Sequence, residues 1–511
     1  MAEGEGMLSV LFGFYGEGII RMNVLLKGFL GLWRGLRKGP GRGQAQALGR
    51  IVSRDKKRQW FYGLFACLLL SGPFAAAKDV GPLTLAESID LAVKQSFLLH
   101  SSKEGIRGAE ALQREAFTGF LPKFSTSYNY TRLNEDPTFS FPGATFSLPP
   151  PLGSGSIPAN TFKTGTKDNY NWAVEIRQPL YAGGGIRAGY EASRRGLEIA
   201  CFEEKKTFLN LVAEVKITYF TILKAQRAVD VAAQSVKRLT AHRDVARAFY
   251  DEGMIPLNDL LRAEVEMTNS IHDQLQAENS LEMAEAQFNT LIGRDINSPV
   301  MIEDILKETS FEEPLHFCIE EALRNRPEIK SYELSLKQAK SLVKQAESEY
   351  YPSLFLVGNY AKYGDSPDVA GSPYRDQESW YVMAQASWNF WEWGKTKYRV
   401  EAGKSREAQS ADMLAHVREQ IIMEVKNSRL FLEEVQKQIP VAKKAIEQAQ
   451  ENFRVSTERY YEQVGTATDV IDAQTILTMA WSNYYKYLSD LGIAKARLDR
   501  AMGIGSGDGG M

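Results

Sequence analysis

The chain has 511 residues, of which 44% are hydrophobic and 24% are charged, and its net charge is −2. This balance excludes a disordered chain and a strongly basic surface that would attract nucleic acid. The three cysteines, Cys67, Cys201 and Cys318, are far apart, which argues against a disulfide framework or a zinc site. We therefore expect a large folded body that needs no metal or other cofactor.

Residues 1–55 form a basic extension with apolar runs and no acidic residue between Glu17 and Asp55. One interpretation is a basic amphipathic helix at a membrane, and the other is that translation begins later. Residues 56–77 have the pattern of a signal peptide, because Lys56–Arg58 precede an apolar stretch that ends in the small residues Ala75–Ala77. A transmembrane anchor and a lipoprotein signal with lipidation at Cys67 are the alternatives.

The mature sequence contains an internal repeat. In the first part of each half, Leu85, Ala92 and Pro122 recur 230 positions later as Leu315, Ala322 and Pro352. Further along, Trp172, Gly184, Tyr250 and Asp259 recur at an offset of 210 as Val382, Gly394, Tyr460 and Asp469. This pattern predicts two repeats, 78–303 and 304–503, followed by a flexible tail at 504–511. The 20-residue difference between the offsets falls in a Pro-, Gly- and Ser-rich loop at about 133–168.

Each repeat contains two segments in which apolar and polar residues alternate, as expected for strands. These segments lie at 124–131 and 170–177 in the first repeat and at 354–360 and 380–387 in the second. In a globular core such a strand would leave Glu175 and Arg177 without water. A barrel with lipid outside and water inside satisfies the same alternation. Four strands cannot close a barrel, so closure requires several copies: two give eight strands and three give twelve.

Long proline-poor segments predict the helices. The residues from about 185 to 250 and from about 395 to 459 would each form a helix of roughly 65 residues and about 100 Å. Shorter helices flank the strands, and one is expected to run from Leu85, capped by Thr84, to about Phe120. The apolar positions Leu261, Val265, Thr268, Ile271 and Leu275 have the spacing of a coiled-coil stripe.

At four places the chain resembles the TolC family of outer-membrane efflux proteins. The matching segments are Leu83–Ile89 (LTLAESI), Gln178–Gly184 (QPLYAGG), Ala322–Ile329 (ALRNRPEI) and Gly465–Gln474 (GTATDVIDAQ). The resemblance implies an α+β membrane protein, a homotrimer with a 12-stranded β-barrel, four strands per subunit, continued by a long α-helical coiled-coil tunnel in the periplasm. It also implies a periplasmic adaptor and an inner-membrane transporter as partners.

The family pattern implies roles for residues in two helix turns. Asp469 and Asp472 match carboxylates that face the pore, and in a trimer each would form a ring of three acids that attracts cations. The alternative is that they only cap or solvate a helix terminus. Tyr460 and Asp259 match positions that link neighbouring helices and hold the entrance shut.

For adaptor contact the pattern implies Gly253, Met254, Val464 and Gly465 at the helix tips, although such residues also serve as simple turn formers. The chain departs from the family at Gln463, where a glycine equivalent to Gly253 is expected, and at Gly465, where the best-known member has an arginine.

No catalytic motif is evident. The histidines are isolated on predicted helices, and no phosphate loop or nucleophile motif occurs. We therefore expect an exit duct for small molecules and not an enzyme. Two alternatives remain open: a duct for protein secretion of type I, and an exported coiled-coil scaffold that does not enter a membrane.

Overall fold

The computed structural model describes residues 82–505. The basic extension, the signal peptide with Cys67 and residues 506–511 of the tail lie outside the described residues. In chain order the first half contains α1 (Leu85–Gln95), α2 (Phe97–Thr118), β1 (Lys123–Arg132), β2 (Thr138–Phe141), β3 (Ala144–Ser147), β4 (Ser154–Ile157), β5 (Asn160–Lys163), β6 (Asp168–Ala182), α3 (Gly185–Asp251) and α4 (Leu257–Leu291).

The second half has the same order without the four short strands. It contains α5 (Leu315–Asn325), α6 (Pro327–Glu347), a short 3-10 turn (Ser348–Tyr350), β7 (Ser353–Gly364), β8 (Glu378–Ser387), α7 (Lys395–Tyr461) and α8 (Ala467–Met502). The two long helices, α3 and α7, have 67 residues each and confirm the predicted lengths. Each long helix follows a glycine in the left-handed conformation, Gly184 at φ 85° and Gly394 at φ 80°.

The prediction of one continuous helix from Leu85 to about Phe120 is wrong. Ser96 adopts an extended conformation with ψ 117°, and its side chain accepts a hydrogen bond from the N–H of Leu99 at 3.3 Å. It therefore ends α1 and caps α2. The second half breaks at the equivalent residue, Arg326, which has ψ 121° and precedes Pro327. Proline disfavours a helical ψ at the residue that precedes it, so only the second break has a strong sequence signal.

The four long strands form one antiparallel sheet in the order β1-β6-β7-β8. The two predicted hairpins therefore exist, and β6 and β7 join them. Strands β1 and β8 are the outer strands of this sheet in the single chain. None of the helices in residues 82–505 is both long and apolar enough to cross a membrane.

The pairing register separates an apolar face from a polar one. Tyr128 lies opposite Trp172, and Tyr360 lies opposite Trp380, so these aromatic residues share one face. Trp380 is 75% exposed there. Ser125 and Glu175 are partners on the other face. On this polar face the Arg177 guanidinium lies 4.1 Å from the centre of the Phe355 ring. In β1 and β6 the alternation seen in the sequence is thus expressed as two chemically different surfaces.

The segment at 133–168 is not a simple loop. Strand β2 pairs with β5 and β3 pairs with β4, so two short ladders extend the β1–β6 hairpin beyond the four-stranded sheet. Their Ser-, Thr-, Gly- and Pro-rich sequence resembles that of a loop, which is why the strands were not predicted.

Each repeat has its own hydrophobic core near the middle of its long helix. In the first repeat, Tyr219 on α3 donates a hydrogen bond to the Leu83 carbonyl at 3.0 Å and lies within 2.8 Å of the Glu303 carbonyl. The start and the end of the repeat therefore meet at this tyrosine. The equivalent residue of α7, Arg429, donates to the Glu313 carbonyl at 3.2 Å. Consequently α1 and α2 pack towards one end of α3, and α4 packs towards the other.

Candidate aperture at the helix tips

The two turns far from the sheet, α3–α4 and α7–α8, share one characteristic backbone hydrogen bond. In the first turn the N–H of Met254 donates to the Phe249 carbonyl at 2.8 Å. In the second turn the N–H of Val464 donates to the Arg459 carbonyl at 2.9 Å. This six-to-one bond is the Schellman pattern, which closes a helix through a left-handed residue.

The left-handed residue is Gly253 in the first turn, at φ 73°, and Gln463 in the second, at φ 62°. Gln463 therefore replaces the expected glycine while the backbone of the second turn keeps the same left-handed conformation. The Gln463 amide nitrogen lies 2.9 Å from the Met254 sulfur, so the structure brings the two turns into contact.

The residues expected to meet an adaptor lie at the outer surface of these turns. Met254 is 54% exposed and Val464 is 67% exposed. Gly253 has open space around its Cα, whereas a side chain at Gly465 would meet Arg459 at 3.1 Å. A side chain at Gly465 would thus be tightly packed within the turn itself.

The acidic residues of the two turns have different surroundings. The Asp469 carboxylate accepts a hydrogen bond from the Thr466 N–H at 2.9 Å, and the Thr466 hydroxyl accepts the N–H of Asp469 at 3.2 Å. These bonds to Thr466 lower the pKa of Asp469. Asp469 thus caps α8, while Asp472, one turn further, is exposed. Asp259 lies in the first turn of α4, where the N-cap residue Pro256 has no side-chain capping hydrogen bond.

Tyr460 is buried between the helical hairpins α3–α4 and α7–α8, with 4% of its surface exposed. Its ring lies 4.9 Å from His242 and 5.6 Å from Phe249, measured between ring centres. Among the described residues its hydroxyl has no hydrogen-bond partner. Burial raises the pKa of Tyr460, and the nearby charge of Asp259 adds to this effect. Asp259 is therefore close to Tyr460 without a hydrogen bond between them in the single chain.

His242 is a residue of this cluster that sequence reasoning missed. It is 9% exposed, and its Nε2 atom also has no partner among the described residues. Burial lowers the pKa of His242 to about 4, so the ring is neutral at neutral pH. A single histidine on a helix has no spacing signal, and its proximity to Tyr460 arises only when α3 packs beside α7 and α8.

Comparison with known families identifies the class of protein. The family model described as "Outer membrane efflux protein" matches residues 88–294 and 318–504, which together make up most of the chain. The chain therefore belongs to this family, and the resemblance seen in its motifs is confirmed. It is an outer-membrane protein, with its long helices on the periplasmic side.

Individual relatives are distant. Nodulation protein T of Rhizobium leguminosarum bv. trifolii is 20% identical over 319 residues, which is 62% of this chain and 68% of that protein. The probable efflux pump outer membrane protein TtgC of Pseudomonas putida is 20% identical over 346 residues, 64% of this chain and 69% of that protein. The solved outer-membrane channel OprN has a TM-score of 0.68 and 18% identity, over 82% of this chain and 90% of OprN. OprN thus shares the fold.

Proposed function

We propose that three copies of this chain form the exit duct of a tripartite efflux system. The duct passively conducts small molecules, which an inner-membrane transporter and a periplasmic adaptor deliver, through the outer membrane to the exterior. In this account the chain carries out no catalysis, and the transporter selects the cargo.

The observation that carries the proposal is the pair of open edges of the sheet. Within residues 82–505 of the single chain, strands β1 and β8 each leave one edge unpaired, and an open edge is not tolerated in lipid. The strands alternate in direction, so β8 of one copy can pair antiparallel with β1 of the next. A head-to-tail contact of this kind closes into a ring.

The number of copies follows from the width of the barrel. Two copies would give eight strands, which leave an interior that side chains fill. Three copies would give twelve strands and room for a water-filled channel. Each strand of the sheet also adjoins a helix, and α2, α3, α6 and α7 pack in the same order as β1, β6, β7 and β8. The barrel would therefore continue directly into a helical tunnel.

An apolar stripe on α4 supports contacts between copies. Leu261, Val265, Ile271 and Leu275 are between 41% and 56% exposed in the single chain. The buried positions Ala263 and Ser270 face α3, so the stripe lies on a side of α4 that points away from α3. A second copy of α7, which exposes Val441, would cover it.

We assign the helix tips to the closed aperture. Asp469 and Asp472 would form two acidic rings that select cations, and Asp469 would serve as a helix cap at the same time. Tyr460 and Asp259 would hold the entrance shut, and Gly253, Met254, Val464 and Gly465 would meet the adaptor. Tyr460→Phe removes only the hydroxyl group, so an unchanged single-channel conductance would count against the latch.

The proposed contact between β8 of one copy and β1 of the next, which we term the seam, can be tested by cysteine cross-linking. Ser127→Cys in β1 is combined with a cysteine at Tyr381, Met383 or Gln385 in β8, after Cys201 and Cys318 have been replaced. We expect at least one pair to give covalent dimers and trimers on oxidation. The control pair at Ser127 and Ala173, which are partners within the chain, should cross-link without raising the mass. A control that works while every seam pair stays monomeric would refute the ring.

A further inference from the structure

One face of α8 carries exposed apolar side chains close to Asp472. Ile476 and Met479 follow Asp472 by four and seven positions, so the three residues share one face of the helix. Ile476 is 51% exposed and Met479 is 60% exposed. We term these two residues the α8 patch. Further along the same face Asn483 is polar and Lys486 is basic, so the apolar part is confined to about one helical turn.

The segment that connects the repeats, 292–314, distinguishes the two sides of the helical layer. Trp481 lies nine positions after Asp472, which is about two and a half turns, and it therefore points to the opposite side of α8. There Trp481 and Tyr484 line a groove together with residues of the connecting segment. The Tyr484 hydroxyl donates a hydrogen bond to the Glu308 carboxylate at 3.4 Å. The connecting segment and the α8 patch are thus on opposite sides of α8.

The flanks of α8 are occupied by helices of the same chain. Leu477 packs in one cluster with Ile446 and Ala449 of α7. On the other flank the Gln474 amide lies 3.4 Å from the Ser235 hydroxyl of α3. Helix α8 therefore lies between α3 and α7, and α4 packs against α3. In the proposed ring a neighbouring copy would meet α4 or α7, so a second copy would not cover the α8 patch.

The α8 patch would face the inside of the proposed tunnel. Three copies of the segment 292–314 on the inner side would obstruct the tunnel, so this segment belongs on the outside and the patch on the inside. At the positions of α4 that are equivalent to Ile476 and Met479, the first repeat has Glu266 and Asn269. The apolar side chains are therefore not a requirement of the helix packing that the two repeats share, and a ligand in the tunnel would give them a role.

We propose that the α8 patch and Asp472 together bind organic cations that carry an apolar body. The carboxylate attracts the charged group, and Ile476 and Met479, about 6 and about 10 Å further along the helix axis, contact the apolar body. The flexible methionine side chain adapts to apolar groups of different shape. A neutral apolar molecule would match the patch and leave the carboxylate unused. The inference rests on the proposed function, because it requires a tunnel.

Block of the single-channel current in a planar lipid bilayer tests the proposal. The two probes are tetramethylammonium and tetrapentylammonium, which carry the same charge and differ in apolar surface. Each is added to the side of the bilayer that the helix tips face. Tetrapentylammonium should block the wild-type current at a concentration at least about tenfold lower, because two methylene groups removed from water already contribute about this factor.

Substitutions assign this preference to the α8 patch. Ile476→Asn/Met479→Gln should raise the blocking concentration of tetrapentylammonium about tenfold and leave that of tetramethylammonium and the cation selectivity unchanged. The conservative variant Ile476→Val/Met479→Leu should retain the wild-type preference. The matched control, Ile296→Asn/Met301→Gln, makes the same two changes in the segment 292–314, where these residues are 54% and 64% exposed. It should also retain the preference.

The outcomes separate this site from the proposed function. Equal block by the two probes in the wild type, or a preference that persists in Ile476→Asn/Met479→Gln, refutes the site, while the conductance itself still supports the duct. Asp472→Asn should weaken the block by both probes. Unchanged block by tetrapentylammonium in that variant would overturn the proposal, because the carboxylate would then take no part in binding. A folded, inserted trimer without conductance would refute the duct and the site together.

Discussion

At two positions the second repeat places a side chain where the first repeat has a left-handed glycine. Gln463 and Trp393 have positive φ angles within about 11° of those of Gly253 and Gly183. At the helix tip the Schellman hydrogen bonds dictate this conformation, whatever the residue. The shape of the turn is therefore conserved between the repeats while its surface chemistry differs.

Alanine substitutions at two open glycines test this backbone argument. Gly253→Ala should lower the free energy of unfolding by about 1 kcal/mol, because alanine is strained at positive φ. Gly108→Ala, on the exposed surface of α2, should raise it by about 0.5–1 kcal/mol, because alanine favours a helix. An added side chain meets no neighbouring atom at either site. Equal shifts of the thermal unfolding midpoint in the two variants would contradict the argument.

His242 should make the helix tips sensitive to acid. Its pKa is about 4 in the folded chain, against about 6.5 when unfolded, so between these values the unfolded chain binds more protons. Stability should therefore fall as the pH drops from about 6.5 to 4, by about 3 kcal/mol in total. In His242→Gln this component of the pH dependence should disappear from thermal unfolding curves. His416→Gln, at an exposed position, should retain it, and identical pH profiles for the two variants would refute the assignment.

At the scale of elements, an ionic cluster around the buried Arg326 joins the end of α8 to α6 and α7. Arg326, whose side chain is 4% exposed, bonds to Glu328 at 2.9 Å and to Glu424 at 2.9 Å. Arg500 reaches the same two carboxylates. Arg326 also donates to the carbonyls of Arg500 and Ala501, at 3.2 and 3.3 Å, at the end of α8. The cluster thus fixes α6, α7 and α8 to one another.

Removing one partner from this cluster should be costly. Arg326→Met removes the most buried cation of the cluster and leaves Glu328 and Glu424 with Arg500 alone, and we expect a loss of about 3 kcal/mol in the free energy of unfolding. The matched control is Arg454→Met, which removes an exposed arginine paired with Glu451 and Glu458 and should cost less than about 1 kcal/mol. Urea unfolding midpoints measure both, and similar losses would contradict the special role of the buried cluster.

The stripe on α4 predicts how assembly can be separated from folding. Val265→Asp should leave the helical circular dichroism of the chain unchanged and abolish the trimer, because a charge would be buried between copies. Ser280→Asp adds the same charge at a polar position of the same helix and should still assemble. Light scattering in detergent measures the mass, and a trimeric Val265→Asp variant would show that the stripe is not an interface.

The sequence predicted the elements whose patterns are long and regular. Period-two alternation and proline-poor segments located the strands β1, β6, β7 and β8 and the helices α3 and α7. The helix break at Ser96 was missed because serine is also compatible with a helix interior, whereas Pro327 marks the equivalent break. His242 was missed because its role depends on a tertiary contact. Capping by Asp469 was one of the two roles expected from the sequence, and in the structure Asp469 forms a capping box with Thr466.

At the scale of the whole molecule, one chain of the proposed assembly would contribute both to the barrel and to the helical tunnel. The two repeats supply two hairpins to one sheet, and each hairpin leads into a long helix. The polar face of the sheet and the acidic helix tips would then line one continuous path. A single chain would leave this path incomplete, because both outer edges of the sheet are open in the part of the chain that the structure describes.

The most direct test of the duct is the conductance of the purified mature protein in a planar lipid bilayer. The account predicts small, discrete, cation-selective openings, since in the proposed trimer Asp469 and Asp472 would form acidic rings at the tips. In Asp469→Asn/Asp472→Asn the reversal potential in a salt gradient should move towards zero. A correctly folded trimer that inserts and gives no conductance would contradict the account.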